Sequence, residues 1–276
     1  MPWATRGLRD GVLTTPYPRR PDPYADQFPA SVRIRDDATA SDTDISMLSA
    51  LCPTGALRAC EDGQLQLDRG ACILCGACVR ARPDLIAEQR GSDTPRLTRD
   101  ALVVPETPET DQALTTLRDE LATRVRALRR SVHIRHVDAG SDGAEEWEIQ
   151  ALLGPVYDIH RLGVFFTASP RHADILLVTG AGAHGMAAPL RRTLDGMPRP
   201  TVVIAAGTDA VSGGLIHPSY ATGAGIGTLI PVDVWVPGSP PSPFSLLHAI
   251  LLALGRVPRA ASSRRQADTS RAGGPR

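Results

Sequence analysis

From residue 131 onward, short apolar runs alternate with longer mixed segments. Residues 132–137, 164–167, 174–179, 202–205 and 232–236 read as strands. Residues 145–153, 184–194 and 244–254 carry apolar positions at helical spacing, and the second of these helices breaks near Met197-Pro198. That rhythm predicts an α/β domain with a mainly parallel, flavodoxin-like sheet over 131–258. Ligands in such folds lie beyond the carboxyl ends of the strands. The loops in question are 139–144, 180–185, 207–214 and 237–241, all rich in Gly or Pro.

The upstream pattern is different. Leu114, Leu117, Leu121, Val125 and Leu128 recur at helical spacing, so 101–130 reads as a linker helix that docks by its apolar stripe. Thr107 and Pro108 suit its start, and Arg124, Arg126, Arg129 and Arg130 suit its end. Residues 41–100 form a small cysteine-bearing α+β segment. Residues 1–40 read as an extended arm, either loose or laid across a partner, because the prolines at 16, 18, 21 and 23 forbid helix there. The tail 259–276 is Arg, Ser, Ala and Gly, and is expected to be disordered.

Composition narrows the picture. The chain has 276 residues, 42% hydrophobic and only 4% aromatic, so its core must be aliphatic. Formal net charge is zero, which gives no reason to expect a nucleic-acid partner. The longest apolar run, 244–254, is interrupted by His248 and is shorter than the about 20 residues a bilayer requires. With no signal-peptide pattern at the start, the expectation is a cytoplasmic chain without its own membrane span.

All five cysteines fall between positions 52 and 78, which in such a compartment points to metal binding. Cys72, Cys75 and Cys78 form a Cys-x2-Cys-x2-Cys run, and Cys52 precedes Pro53. In the bacterial two-cluster pattern the fourth Cys, before Pro, ligates the other cluster. Cys52 with Cys72, Cys75 and Cys78 therefore makes one four-thiolate set, for one 4Fe–4S cluster. A zinc site or spare thiols are the alternatives. The same spacing places Asp42, Ile45, Leu48 and Arg82 where a second set would stand. Cys60 has no partner in the pattern. It is expected as a small buried residue beside a hairpin turn at Asp62-Gly63.

GVLTTPYP (11–18), CPTGAL (52–57) and CILCGAC (72–78) resemble the ferredoxin subunit of formate-hydrogenlyase-like and complex-I-like assemblies. The resemblance implies a ferredoxin-like domain over 41–100. Between 132 and 257, HVDAG, EIQALLGPVYDI, SPRHADILLVTG, SGG with IPVDV, and VPG-x-PP resemble the small, cluster-bearing subunit of complex I and membrane-bound hydrogenases. In that family four loop cysteines hold a cluster beside the large subunit. The matching positions here are Asp142, Glu145, Asp209 and Ser239. These hard oxygens are poor ligands for an iron–sulfur cluster, so the domain is expected to carry none. A hard-metal site, a solvated polar cavity, or acids paired to Arg171 or another Arg are the open readings.

Gly180, Gly182 and Gly185 spell G-x-G-x-x-G after a strand, with Asp209 near where a ribose-binding acid is wanted. The motif follows an internal strand, however, and an ordinary turn explains it as well. No Ser-His-Asp or Cys-His arrangement has context, so no catalytic residue is assigned. The resemblance implies an electron-transfer subunit beside a large catalytic-type subunit and membrane subunits, peripheral on the inner face of the membrane. A non-redox scaffold or redox-sensing subunit docking the same partner is the alternative.

Overall fold

A computed structural model describes residues 2–256, apart from positions 21, 23, 37, 61 and 217 and the stretch 106–130, within which only 116, 119, 120 and 123 are described. The expected linker-helix stripe and the expected tail lie outside the described residues.

The alternating half folds as expected. β6 (Val132–Asp138), β7 (Val164–Phe166), β8 (Ile175–Thr179), β9 (Val202–Ala206) and β10 (Val234–Val236) form a five-stranded sheet in the order β10-β9-β8-β6-β7. Every pairing in it is parallel. β8 and β9 are buried along their whole length, because helices cover both faces. Alternate residues divide between two cores. Ile175, Leu177, Val202 and Ile204 pack with α4 (Ala144–Ala151) and α7 (Pro243–Ala253). Leu176, Val178, Val203 and Ala205 pack with α5 (Ala187–Asp195) and the short α6 (Thr208–Ser212). That division follows from the two-residue period of a strand.

α7 is apolar on all sides, and such a helix must be covered on all sides. Ser242 caps its first turn by accepting from Ser245 N at 3.2 Å. The sheet covers one flank. The other meets Tyr17, Phe28 and Tyr157, whose rings lie 5.0–6.3 Å from Phe244. His248, only 6% exposed, is held between the Tyr17 hydroxyl at 2.6 Å and Asp93 at 3.3 Å.

This corrects the expected arm. Residues 14–17 lie along the chain's own α/β domain: Thr14 Oγ1 donates to Pro155 O at 2.8 Å and Thr15 N to Val156 O at 2.7 Å. Nor is the segment extended throughout. Residues Pro2–Asp10 form helix α1, and Pro29–Ile34 form strand β1, which pairs antiparallel with β4 (Ile86–Arg90). The Ser31-Val32-Arg33-Ile34 alternation is the local cause of that strand.

The cysteine-bearing unit therefore starts before residue 41. It comprises the β1–β4 pair, α2 (Asp42–Leu51), α3 (Ala77–Ala81) and a three-stranded antiparallel sheet of β2 (Leu57–Ala59), β3 (Leu65–Asp68) and β5 (Val103–Val104). The β2–β3 connection turns at Gly63, as the Asp62-Gly63 pair predicts, and Cys60 is half-buried beside it. The unit does not end at residue 100 either. Leu102 is buried in the second sheet core, and Arg96 pairs with Trp235 across the junction.

Candidate functional site

Two groups of predicted residues come together, on either side of that junction. The first is the cysteine set. α2 ends at Cys52, where Pro53 bars the preceding residue from helix. Cys72, Cys75 and Cys78 follow one another through a loop into α3, whose N-cap Gly76 has φ +69°. All four cysteines line one hollow, otherwise walled chiefly by apolar groups such as Val32, Leu57, Leu67 and Ile73. Arg80 Nη1 braces the loop by donating to Cys75 O at 3.2 Å. Burial first, and then the neighbouring Cys78, Cys52 and Cys75, push the Cys72 thiol up to about 11. Cys78 is raised for the same leading reason.

Among the described residues, no three His, Cys, Asp or Glu side chains meet closely enough to hold a single metal ion. The four cysteines ring a space rather than a point. Soft thiolates in an apolar enclosure are the donor set an iron–sulfur cluster takes, so these residues fit the group.

The positions of a second thiolate set are filled differently. Ile45 and Leu48 are buried in the unit's core, and Asp42 opens α2. Arg82 pairs with Asp44 and with Asp84, the latter at 2.6 Å. The Arg82 hydrogen bonds hold Asp84 down to about 2. Asp44 is lowered chiefly by its hydrogen bonds with Ser41, which complete a capping box.

The second group is Asp142, Glu145, Asp209 and Ser239, at the carboxyl ends of β6, β9 and β10. Glu145 sits in the first turn of α4 and is 2% exposed. Asp209 sits at the head of α6 and is 8% exposed. Asp142 is exposed and accepts from Ala144 N at 2.9 Å. Burial pushes Glu145 up to about 7, reinforced by Asp209, Asp142 and Glu146. A helix N-terminus favours a carboxylate, but here desolvation outweighs it. Asp209 is likewise raised, by burial and then by Asp142. None of the three acids is ion-paired among the described residues, to Arg171 or to any other Arg. Glu145 Oε2 is buried with no hydrogen-bond partner. The Glu145 carboxylate lies against Gly207 (φ +98°), where any Cβ would strike it.

Ser239 is exposed on the last loop rather than gathered with the acids. Its neighbour Gly238 is tied to α6: Gly238 N donates to Thr208 Oγ1 at 3.2 Å, and Thr208 N to Gly238 O at 2.7 Å. Thr208 is the residue that sequence reasoning missed. Its hydroxyl also donates to Cys72 O at 3.1 Å, joining the two groups. Nothing in the local pattern signals a contact across 136 positions.

Gly180 and Gly182 take positive φ after β8, as a tight turn requires. A Cβ at Gly180 would collide with the backbone of Gly140 and Ser141 at 2.4 Å. The glycines thus serve loop-to-loop packing, which accounts for the motif without a nucleotide.

Comparison with known proteins bears on the α/β half. The family described as NADH ubiquinone oxidoreductase, 20 kDa subunit, matches residues 143–253. Formate hydrogenlyase subunit 7 of Escherichia coli is 37% identical over 157 residues, 57% of this chain and 60% of that protein's length. The probable membrane-bound hydrogenase subunit mbhJ of Pyrococcus furiosus is 40% identical over 141 residues, 51% of this chain and 84% of its own. A solved archaeal membrane-bound sulfane sulfur reductase overlaps 53% of this chain and 82% of its own at 26% identity, with a TM-score of 0.42. No helix among the described residues is long and apolar enough to cross a membrane. On the strength of the match to mbhJ and to the family itself, this chain belongs to the NADH ubiquinone oxidoreductase 20 kDa subunit family.

Proposed function

We propose that this chain is the electron-transfer subunit of a complex I-like or membrane-bound hydrogenase-like assembly, with one 4Fe–4S cluster held by Cys52, Cys72, Cys75 and Cys78. Its partners are then a large catalytic-type subunit and membrane subunits, which keep it peripheral to the membrane. The observation that carries the reading is the ring of four cysteines around a single apolar hollow, in a chain of this family. When bound, such a group supplies one-electron transfer.

The chain's own residues do the rest. Leu57, Leu67 and Ile73 give the hollow its apolar wall. Arg80 fixes the loop that presents Cys75. Thr208 anchors Cys72 to the α/β domain. Metal capture from the raised thiols releases protons, so loading is favoured at higher pH.

Iron and acid-labile sulfide per full chain, with electron paramagnetic resonance after reduction, test the reading. About four irons are expected from the thiolate count, and Cys75→Ser should abolish the signal. A chain that binds zinc alone, or no metal, overturns it. About eight irons would overturn the claim that the acid positions hold no cluster.

One observation favours a second reading, a docking scaffold: acids and a serine stand at all four family ligand positions of the α/β half. The scaffold predicts that Cys75→Ser leaves the activity of the assembled complex intact. The electron-transfer reading predicts its loss.

A further inference from the structure

Reading the chain as a single-cluster subunit, we infer that the buried Glu145 pocket is a proton-binding site coupled to the electron held on the cysteine side of the junction. Among the described residues, no three of the ligating side chains converge on a point. A proton is the ligand the pocket still lacks. Glu145 is 98% removed from solvent, and its Oε2 has no partner. A protonated carboxyl would convert that bare acceptor into a neutral group, and burial then costs far less.

The groups facing Glu145 make the case one-sided. From its own helix comes Glu146, which is already engaged: it accepts from Ser141 Oγ at 2.6 Å and from Thr179 Oγ1, with His136 Nε2 at 3.4 Å. The β6 loop contributes Asp142 and, further back, Asp138; α6 contributes Asp209. The β8 end offers Thr179 and the last loop Ser239, neither of which titrates near neutrality. Across the junction Arg99 abuts Gly70 together with Val211 of α6, and it is committed to Asp68 at 2.6 and 2.9 Å; Arg69 stands beside Gly70. Thus acids surround Glu145, no cation pairs with it, and it titrates close to neutral pH.

Two contacts and one peptide bond join Glu145 to the cysteine loop. Glu145 rests on Gly207. The next residue, Thr208, donates its hydroxyl to the Cys72 carbonyl. Thr208 and Glu145 are buried, so a negative charge gained among the thiolates raises proton affinity at Glu145. The step balances simply. One electron enters from an external one-electron reductant, one proton enters from solvent, and an O–H bond forms on the Glu145 carboxylate. No bond in the chain breaks.

The test is a redox titration of the iron-loaded full chain with dithionite, read by electron paramagnetic resonance between pH 5.5 and 9. The midpoint potential is expected to be flat at the acid end. Above neutrality it should fall with pH, at most tenfold in the equilibrium constant per pH unit, about 59 mV for one electron. Glu145→Gln should abolish the slope. Asp209→Asn removes a neighbouring charge and should move the break to lower pH while keeping the slope. A flat potential in the wild type, or a slope that survives Glu145→Gln, overturns the coupling while the cluster reading stands. A chain without iron overturns both.

Discussion

Two places in this molecule have side chains where related chains are expected to carry cluster thiolates, and they have been resolved in opposite ways. In the N-terminal unit the space became ordinary structure. Ile45 and Leu48 fill it, and Arg82 spans Asp44 and Asp84. The charges of Arg82, Asp44 and Asp84 are paired with one another, and Asp42 is exposed to solvent. In the α/β domain the positions stayed polar, and the result is a buried acid, Glu145, with an unpartnered oxygen. Apolar filling closes a cavity at no electrostatic cost, whereas a buried carboxylate must recruit a proton or a cation. Losing a set of ligands therefore does not by itself say whether a site was retired.

The largest effect expected from breaking this contrast is at the filled place. Leu48 has no exposed surface, so Leu48→Ala should destabilise the chain by about 2–5 kcal/mol, read by denaturant unfolding. A cost near that of a surface substitution would mean that the helix α2 core is not the plug described here.

Next comes Glu145→Gln, with the opposite sign. The carboxyl goes from an ordinary 4.5 to about 7 on folding. A folded chain that holds its proton longer than the unfolded chain loses stability as pH rises between those values. The cost is absent below pH 4.5 and complete above pH 7. The Gln variant should therefore be more stable than the wild type at pH 8 by up to about 3 kcal/mol, and equal to it near pH 4. A variant that is less stable at pH 8 would show that the carboxylate has a partner after all.

The smallest effect belongs to Arg82→Met. Its ion pairs are near the surface and screened, so the loss in melting temperature should be slight and should shrink further in high salt. A large, salt-independent loss would make the pair a core element and weaken the distinction between the two places.

Much of this was legible in the chain itself. The strands and helices expected after residue 131 fall within three residues of their expected bounds, because a fully buried parallel sheet is written in short apolar runs, while the short α6 lies in an expected loop. The four cysteines share one hollow, as their spacing requires. What the local pattern hid was long-range. β1 pairs with β4 across more than fifty positions, so the proline-rich segment 1–40 reads locally as a mere arm. Leu102 looked like the edge of a linker, yet it completes a core assembled from β8 and β9. The Thr208 bond to Cys72 depends on where two loops happen to meet. Ser239, by contrast, shares a motif with the acids but not their burial, because Gly238 turns the chain outward just before it.

His248 carries one last consequence. It lies on the final helix and touches Tyr17 and Asp93, which belong to segments at opposite ends of the N-terminal half. Separating the cysteine unit from the sheet therefore strips Asp93 from the buried His248. Such a clasp makes the two halves a single cooperative unit, so calorimetry of the iron-free chain should show one transition rather than two.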